Sequence, residues 1–202
     1  VVDEAHNLED KVRSATTERF GERQLIHAIN SAVKSVRGEE REFILEDADD
    51  VVCSVRALYS NLNSQMRMQI TQPARDMKYA DRFFFRDEDG AVDLIRAVSR
   101  QLQKLSSSVQ VFGSRDYRRG DSSSGADELD AATQSFKELA SDFDRQLLWL
   151  ERRGQTADLS FCPKNTKDIL KKLYFSSKIR VILTSATLTS AVGGPLENQY
   201  AY

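Results

Sequence analysis

Two β-branched residues, Val1 and Val2, run straight into a pair of carboxylates, Asp3 and Glu4. This order constrains the fold more than any other stretch. A strand that stays apolar to its last residue belongs in a parallel sheet buried on both faces, and the carboxyl end of such a strand is where open α/β sheets bind phosphates and metal. A second strand-like run, Arg180-Val181-Ile182-Leu183, ends in Thr184-Ser185-Ala186-Thr187, which places small hydroxyl side chains at the equivalent edge. The two ends of the chain are therefore expected to supply strands of a parallel sheet, with a long excursion between them.

The excursion is patterned for helices. After Ala5 to about Thr17, which carries His6 near its start, Leu25, Ile29, Ala32, Val33 and Val36 recur at helical spacing over Glu22 to Val36, and Gly38 supplies a stop. A longer helix is expected from about Asp47 to Ile70, with Val51, Val52, Val55, Leu58, Tyr59, Leu62 and Met66 on one stripe, ended by Gln72-Pro73. Arg82 to Arg86 reads as an aromatic strand closed by Asp87-Glu88-Asp89-Gly90, and Ala91 to about Leu105 as a helix turning Leu94, Ile95, Val98, Leu102 and Leu105 inward.

Arg115 to Asp127 has almost nothing to bury and reads as a mobile loop. Glu128 to about Leu148 is a helix with Leu129, Ala132, Phe136, Leu139, Phe143 and Leu147 inward. Leu148 to Arg152 and Asp158 to Cys162 read as a hairpin, Lys164 to Phe175 as a short helix, and Lys178 to Thr184 as the final strand. The fold class is mostly α with minor β. Residues 1–18 and 147–202 are assigned to the sheet-bearing domain, and 19–146 to a helical insertion.

Composition excludes several classes. A formal charge of −2 over 202 residues, with 30% charged and 40% hydrophobic content, is that of an ordinary soluble chain and not of a protein basic throughout. No apolar run approaches the roughly 20 residues needed to cross a bilayer, so no membrane partner is expected. Cys53 and Cys162 are too few and too far apart for a disulfide framework or a thiolate metal site. They point to a reducing, cytoplasmic setting. Cys53 falls on the apolar stripe of its helix and is expected to be a small buried hydrophobe, and His27, without a metal-spaced partner, a surface or packing histidine.

Val1 to Asp10, read as VVDEAHNLED, resembles the Walker B or DEAH motif of superfamily two helicases, and Ser185-Ala186-Thr187 resembles their Ser-Ala-Thr motif. In the DEAH-type RNA helicases these motifs lie close in sequence. Here most of the chain separates them, which is similar to the XPD and DinG family of DNA helicases, where an arch domain is inserted at this point of the first RecA-like motor domain. Trp149, Glu151, Leu159 and Pro163, preceding Leu183 to Leu188, agree with the DinG-like bacterial members.

The resemblance implies a helical arch-like insertion between two strands of an incomplete RecA-like P-loop NTPase parallel α/β sheet, in a fragment truncated at both ends. It implies ATP and Mg²⁺ as cofactors, with Asp3 holding Mg²⁺ directly or through water, Glu4 orienting or deprotonating the attacking water, and His6 coupling to Ser185, Ala186 and Thr187. It further implies five-prime to three-prime movement on single-stranded or forked DNA, a role in DNA repair, the remaining motor domains of the same polypeptide as partners, a monomer at full length, and a bacterial cytoplasm, or a nucleus in a eukaryotic host. The iron-sulfur cluster of many relatives is ligated upstream of the DEAH motif, beyond this chain.

No G-x-x-x-x-G-K-[ST] is present, so the chain by itself is expected to be inactive. Nucleic-acid contact is expected at Tyr79, Arg82, Phe84 and Arg86, where aromatics alternate with cations, and at Lys164, Lys167 and Lys171. The alternatives are an RNA-acting or nuclease-like DEAH protein, and a non-catalytic helical interaction module.

Overall fold

Glu18-Arg19-Phe20-Gly21 is too short to declare itself as a strand, yet it pairs antiparallel with Asp158 to Phe161, placing Phe20 opposite Leu159. The computed structural model describes residues 5–69, 82–85, 90–113, 123–153, 156–176, 181–182 and 184. They form two compact units. The larger is Glu18–Cys162, and the smaller combines the two ends of the chain, with described residues in 5–17 and 163–184.

In the larger unit the chain runs through β1 (Glu18–Gly21), α2 (Glu22–Val33), α3 (Arg41–Gln69), β2 (Arg82–Phe84), α4 (Ala91–Phe112), α5 (Ser123–Ser141), β3 (Gln146–Arg153) and β4 (Thr156–Pro163). The label α1 belongs to Leu8–Ala15 of the smaller unit. Each helix packs on the next, α2 on α3, α3 on α4 and α4 on α5, and α5 returns to α2, so the four close into a bundle. The sheet has the order β1-β4-β3-β2, with β1 antiparallel to β4 and β2 antiparallel to β3. The class is thus mostly α with a small antiparallel sheet, and no parallel strand pair occurs among the described residues.

The helical stripes bury as their spacing requires. Leu25, Ile29, Ala32, Val33 and Val36 of the first stripe and Val51, Val52, Val55, Leu58, Tyr59, Leu62 and Met66 of the second all enter the core. α3 starts at Arg41, earlier than Asp47, because Ile44 and Ala48 extend the same stripe inward. Phe20 joins sheet to bundle, its ring 5.5 Å from Phe136 and stacked 6.2 Å from Phe161. Beneath it the Tyr59 hydroxyl donates a hydrogen bond to the Phe20 carbonyl.

Several expectations are corrected. Cys53 is exposed, because it lies about 200° around the helix from Val51 and so points away from the stripe. Ser123 to Asp127, read as part of a loop, forms the first turns of α5. Gly125 permits this: a Cβ there would lie 2.5 Å from Ser31 Cβ and 2.9 Å from the Ser31 carbonyl carbon, so only glycine lets α5 approach α2 this closely. Leu147 lies in β3 and not on the preceding helix, which ends at Ser141. The hairpin β3–β4 belongs with the bundle, so the larger unit runs past Gln146 to Cys162. Of the expected final strand, Val181, Ile182 and Thr184 are described, and they lie in no regular element.

Gly125→Ala is expected to destabilise the protein by about 1–3 kcal/mol through overpacking against Ser31, read from chemical denaturation. Burial, reinforced by the Asp158 carboxylate, pushes the Tyr59 hydroxyl well above the usual tyrosine range. The folded chain therefore keeps a proton that the unfolded chain releases. The resulting stability is fully present below pH of about 10 and falls as pH rises beyond it. Tyr59→Phe should cost about 1 kcal/mol at neutral pH and flatten that alkaline decline, which denaturation midpoints across pH will show.

Candidate functional site

The smaller unit is assembled from segments far apart in sequence. Ala5–Asn7 makes a single tight helical turn and Leu8–Ala15 continues it as α1, with Glu9 and Asp10 in the first turn, where the helix dipole favours acid. At the other end, Asn165 accepts a hydrogen bond from the Lys167 amide at 2.9 Å and so starts α6 (Lys167–Leu170), which widens into a looser turn over Lys171–Phe175. α6 packs against α1. Val12 and Thr166 are buried there, and the Thr166 hydroxyl donates to Glu9 Oε1 at 3.2 Å, the same oxygen that Arg13 Nη2 reaches at 3.0 Å.

One backbone contact bears on the two motif-like stretches. The amide of Ala5 donates to the carbonyl of Thr184 at 2.9 Å. Ala5 directly follows Asp3-Glu4, and Thr184 directly precedes Ser185-Ala186-Thr187. His6 is exposed on the turn so anchored. Asp3, Glu4, Ser185, Ala186 and Thr187 lie outside the described residues. Among the described residues no group of three or more His, Cys, Asp or Glu could hold a metal ion. The hard carboxylate oxygens of Asp3 and Glu4 are the donor type that Mg²⁺ prefers.

The nucleic-acid candidates divide. Lys164, Lys167 and Lys171 are exposed, the last two one helical turn apart. Tyr79 and Arg86 lie outside the described residues. Arg82 and Phe84 alternate with Phe83 and Phe85 along β2, so Phe83 and Phe85 turn into the core, edge to face at 4.9 Å, while Arg82 and Phe84 take the opposite face. There they meet Trp149 and Glu151, their register partners on β3. The Arg82 guanidinium lies 5.8 Å from the centre of the Trp149 ring and 3.7 Å from Glu151 Oε1, and the Phe84 ring lies 6.0 Å from Trp149. Phe84 remains 47% exposed, whereas Trp149 is buried and its indole N–H has no partner among the described residues.

Trp149 was missed as a partner of Arg82 and Phe84. The signal was its place opposite Phe84, which needs the strand register and not the one-dimensional pattern. His27 is exposed, its Nε2 3.5 Å from Ser31 Oγ, and Cys162 is buried. Compared with known proteins, the chain matches no family model and no curated sequence.

Thr166→Val is expected to loosen α6 from α1 by about 0.5–1.5 kcal/mol, since Glu9 keeps Arg13 but loses its tie to the second segment. Faster amide hydrogen exchange in α1, with exchange in α2 to α5 unchanged, is the measurement.

Proposed function

We propose that this chain is the DEAH, arch and Ser-Ala-Thr portion of an ATP-dependent DNA helicase of the XPD and DinG type. The observation that carries the reading is the hydrogen bond from the Ala5 amide to the Thr184 carbonyl. A nucleotide-driven motor must let the segment that handles the γ-phosphate sense the segment that reports to its neighbour, through short-range contacts with two arrangements. A backbone tie between the residues flanking Glu4 and Ser185 supplies such proximity. The enclosed Glu18–Cys162 unit supports the reading as well, because it has the size and helical content of an inserted arch.

In this reading the ends of the chain supply strands of a RecA-like parallel sheet. Asp3 would hold Mg²⁺, and Glu4 would orient and deprotonate the water that attacks the terminal phosphate of ATP. His6 would contact Ser185 and Thr187. The Arg82–Phe84 face and the Lys164, Lys167 and Lys171 edge would meet single-stranded DNA through stacking and phosphate contact. The phosphate cradle and the second motor domain would come from parts of the polypeptide that these 202 residues do not contain.

In the full-length polypeptide, Glu4→Gln should lower DNA-stimulated ATP turnover by roughly 10²-fold or more while leaving ATP binding intact. Unchanged turnover overturns the motor reading. A panel of duplex substrates then tests the nucleic acid: unwinding of RNA duplexes without DNA forks overturns the DNA assignment.

A further inference from the structure

Among the described residues eight large apolar side chains are exposed, and four of them, Phe43 at 72%, Val111 at 72%, Phe112 at 42% and Leu45 at 38%, lie at one end of the helical bundle. Val36, just ahead of α3, bridges Gly113, which closes α4, so α3 starts where α4 stops. Asp47 takes Lys104 at 2.7 Å and fixes the level of one helix on the other. Phe43 lies one turn before Asp47, and Ser108 and Val111 lie one and two turns after Lys104 on the same row. Phe43 and Val111 therefore stand on neighbouring rows of the two helices, and Phe112 is next in the chain.

The rest of this end is acidic. From Glu39 to Asp50 the chain carries seven acids and one cation, Arg41, a net of −6 where the whole chain carries −2. Glu42, Glu46 and Asp50, spaced four residues apart, form one exposed row along α3, with Phe43 on its α4 side and Leu45 on the other. The helix dipole accounts for Glu42 in the first turn, but its effect does not extend to Glu46 and Asp50 in the second and third. Like charges four residues apart repel and weaken a helix, so the row works against α3 while nothing cationic covers it. Of the seven acids, Asp47 alone meets a cation among the described residues.

An exposed apolar cluster rimmed by polar groups marks a surface for another macromolecule, and here the sign of the rim selects among them. Nucleic acid and anionic lipid are repelled. A metal ion would leave the apolar side chains uncovered. We propose that this end of the bundle docks a basic amphipathic helix of a partner protein, its apolar stripe on Phe43, Val111 and Phe112 and its lysines or arginines along Glu42, Glu46 and Asp50. Such a helix presents its apolar anchors at three- and four-residue spacing, and cations beside that stripe repeat at the spacing of the acids. The surface lies wholly within the Glu18–Cys162 unit, and its occupancy is independent of whether the chain is part of a motor.

The probe is a labelled synthetic helix of leucine and lysine, its leucines on one face, titrated with the 202-residue chain and followed by fluorescence anisotropy. One companion peptide has glutamate in place of lysine, and another has the same leucines and lysines scattered round the helix. The first peptide should bind at least tenfold more tightly than either companion, with an affinity that falls as salt is added. Phe43→Ser with Val111→Ser should weaken it at least tenfold, and Phe43→Leu with Val111→Ile should bind as the unaltered chain does. Glu42→Gln, Glu46→Gln and Asp50→Asn together should also weaken binding at least tenfold and remove most of its salt dependence, while the thermal melt stays level or rises as the repulsion is lost. Met68→Ser, which removes an apolar side chain 76% exposed at the far end of α3, should change nothing. If the serine pair melts early, the amide triple decides. Equal binding of either companion peptide, unchanged affinity in the serine or the amide variant, or an equal loss in Met68→Ser overturns the proposal. So does concentration-dependent self-association, read by sedimentation, that Phe43→Ser abolishes, because the occupant is then a second copy of the chain.

Discussion

The antiparallel ladder between Glu18–Gly21 and Asp158–Phe161 holds together residues from the start and finish of the larger unit, and every other packing relation in that unit lies inside the loop it closes. Closing so long a loop is opposed by chain entropy, but that cost rises only slowly with length. It is offset where the ladder meets the bundle. Phe20 stacks on Phe161 and leans on Phe136, and its carbonyl is held by Tyr59 from α3. Each large side chain buried there contributes on the order of 2 kcal/mol. The short strand stays in place because its single core residue touches the sheet and two helices together.

How much of this was legible in the sequence depended on the length of each pattern. The helices were visible because Leu25 to Val36 and Val51 to Met66 repeat an apolar stripe over several turns, and burial follows the stripe. What escaped has a short or non-local cause. β1 offers one inward side chain, Phe20, too little for a period of two to register. The first turns of α5 are written in Ser, Gly and Asp, helix-poor residues, and are helical because Gly125 lets the backbone close on Ser31. Leu147 fits both the helical stripe and the strand, and the break at Ser141 decides between them. Cys53 shows the limit of reading a stripe by eye, since a position two residues from Val51 points to the far side.

The same holds for the chemistry. The motif-like ends could be read as a pair, but the backbone hydrogen bond between Ala5 and Thr184, the residues that flank them, is encoded by no composition or spacing. Arg82 and Phe84 stood out as cation and aromatic. Their cluster with Trp149 and Glu151 exists only once β2 is registered on β3.

The pairing of Glu18 with Phe161 also has a mechanical meaning. The chain enters the larger unit at Glu18 and leaves it at Cys162, so both connections depart from the same end of an antiparallel ladder. A pull that separates them would load the hydrogen bonds one after another, as in opening a zipper, and not all together as in shear. The larger unit is therefore compliant along the direction in which its own connections would draw it, and its first yielding element is the seam at β1.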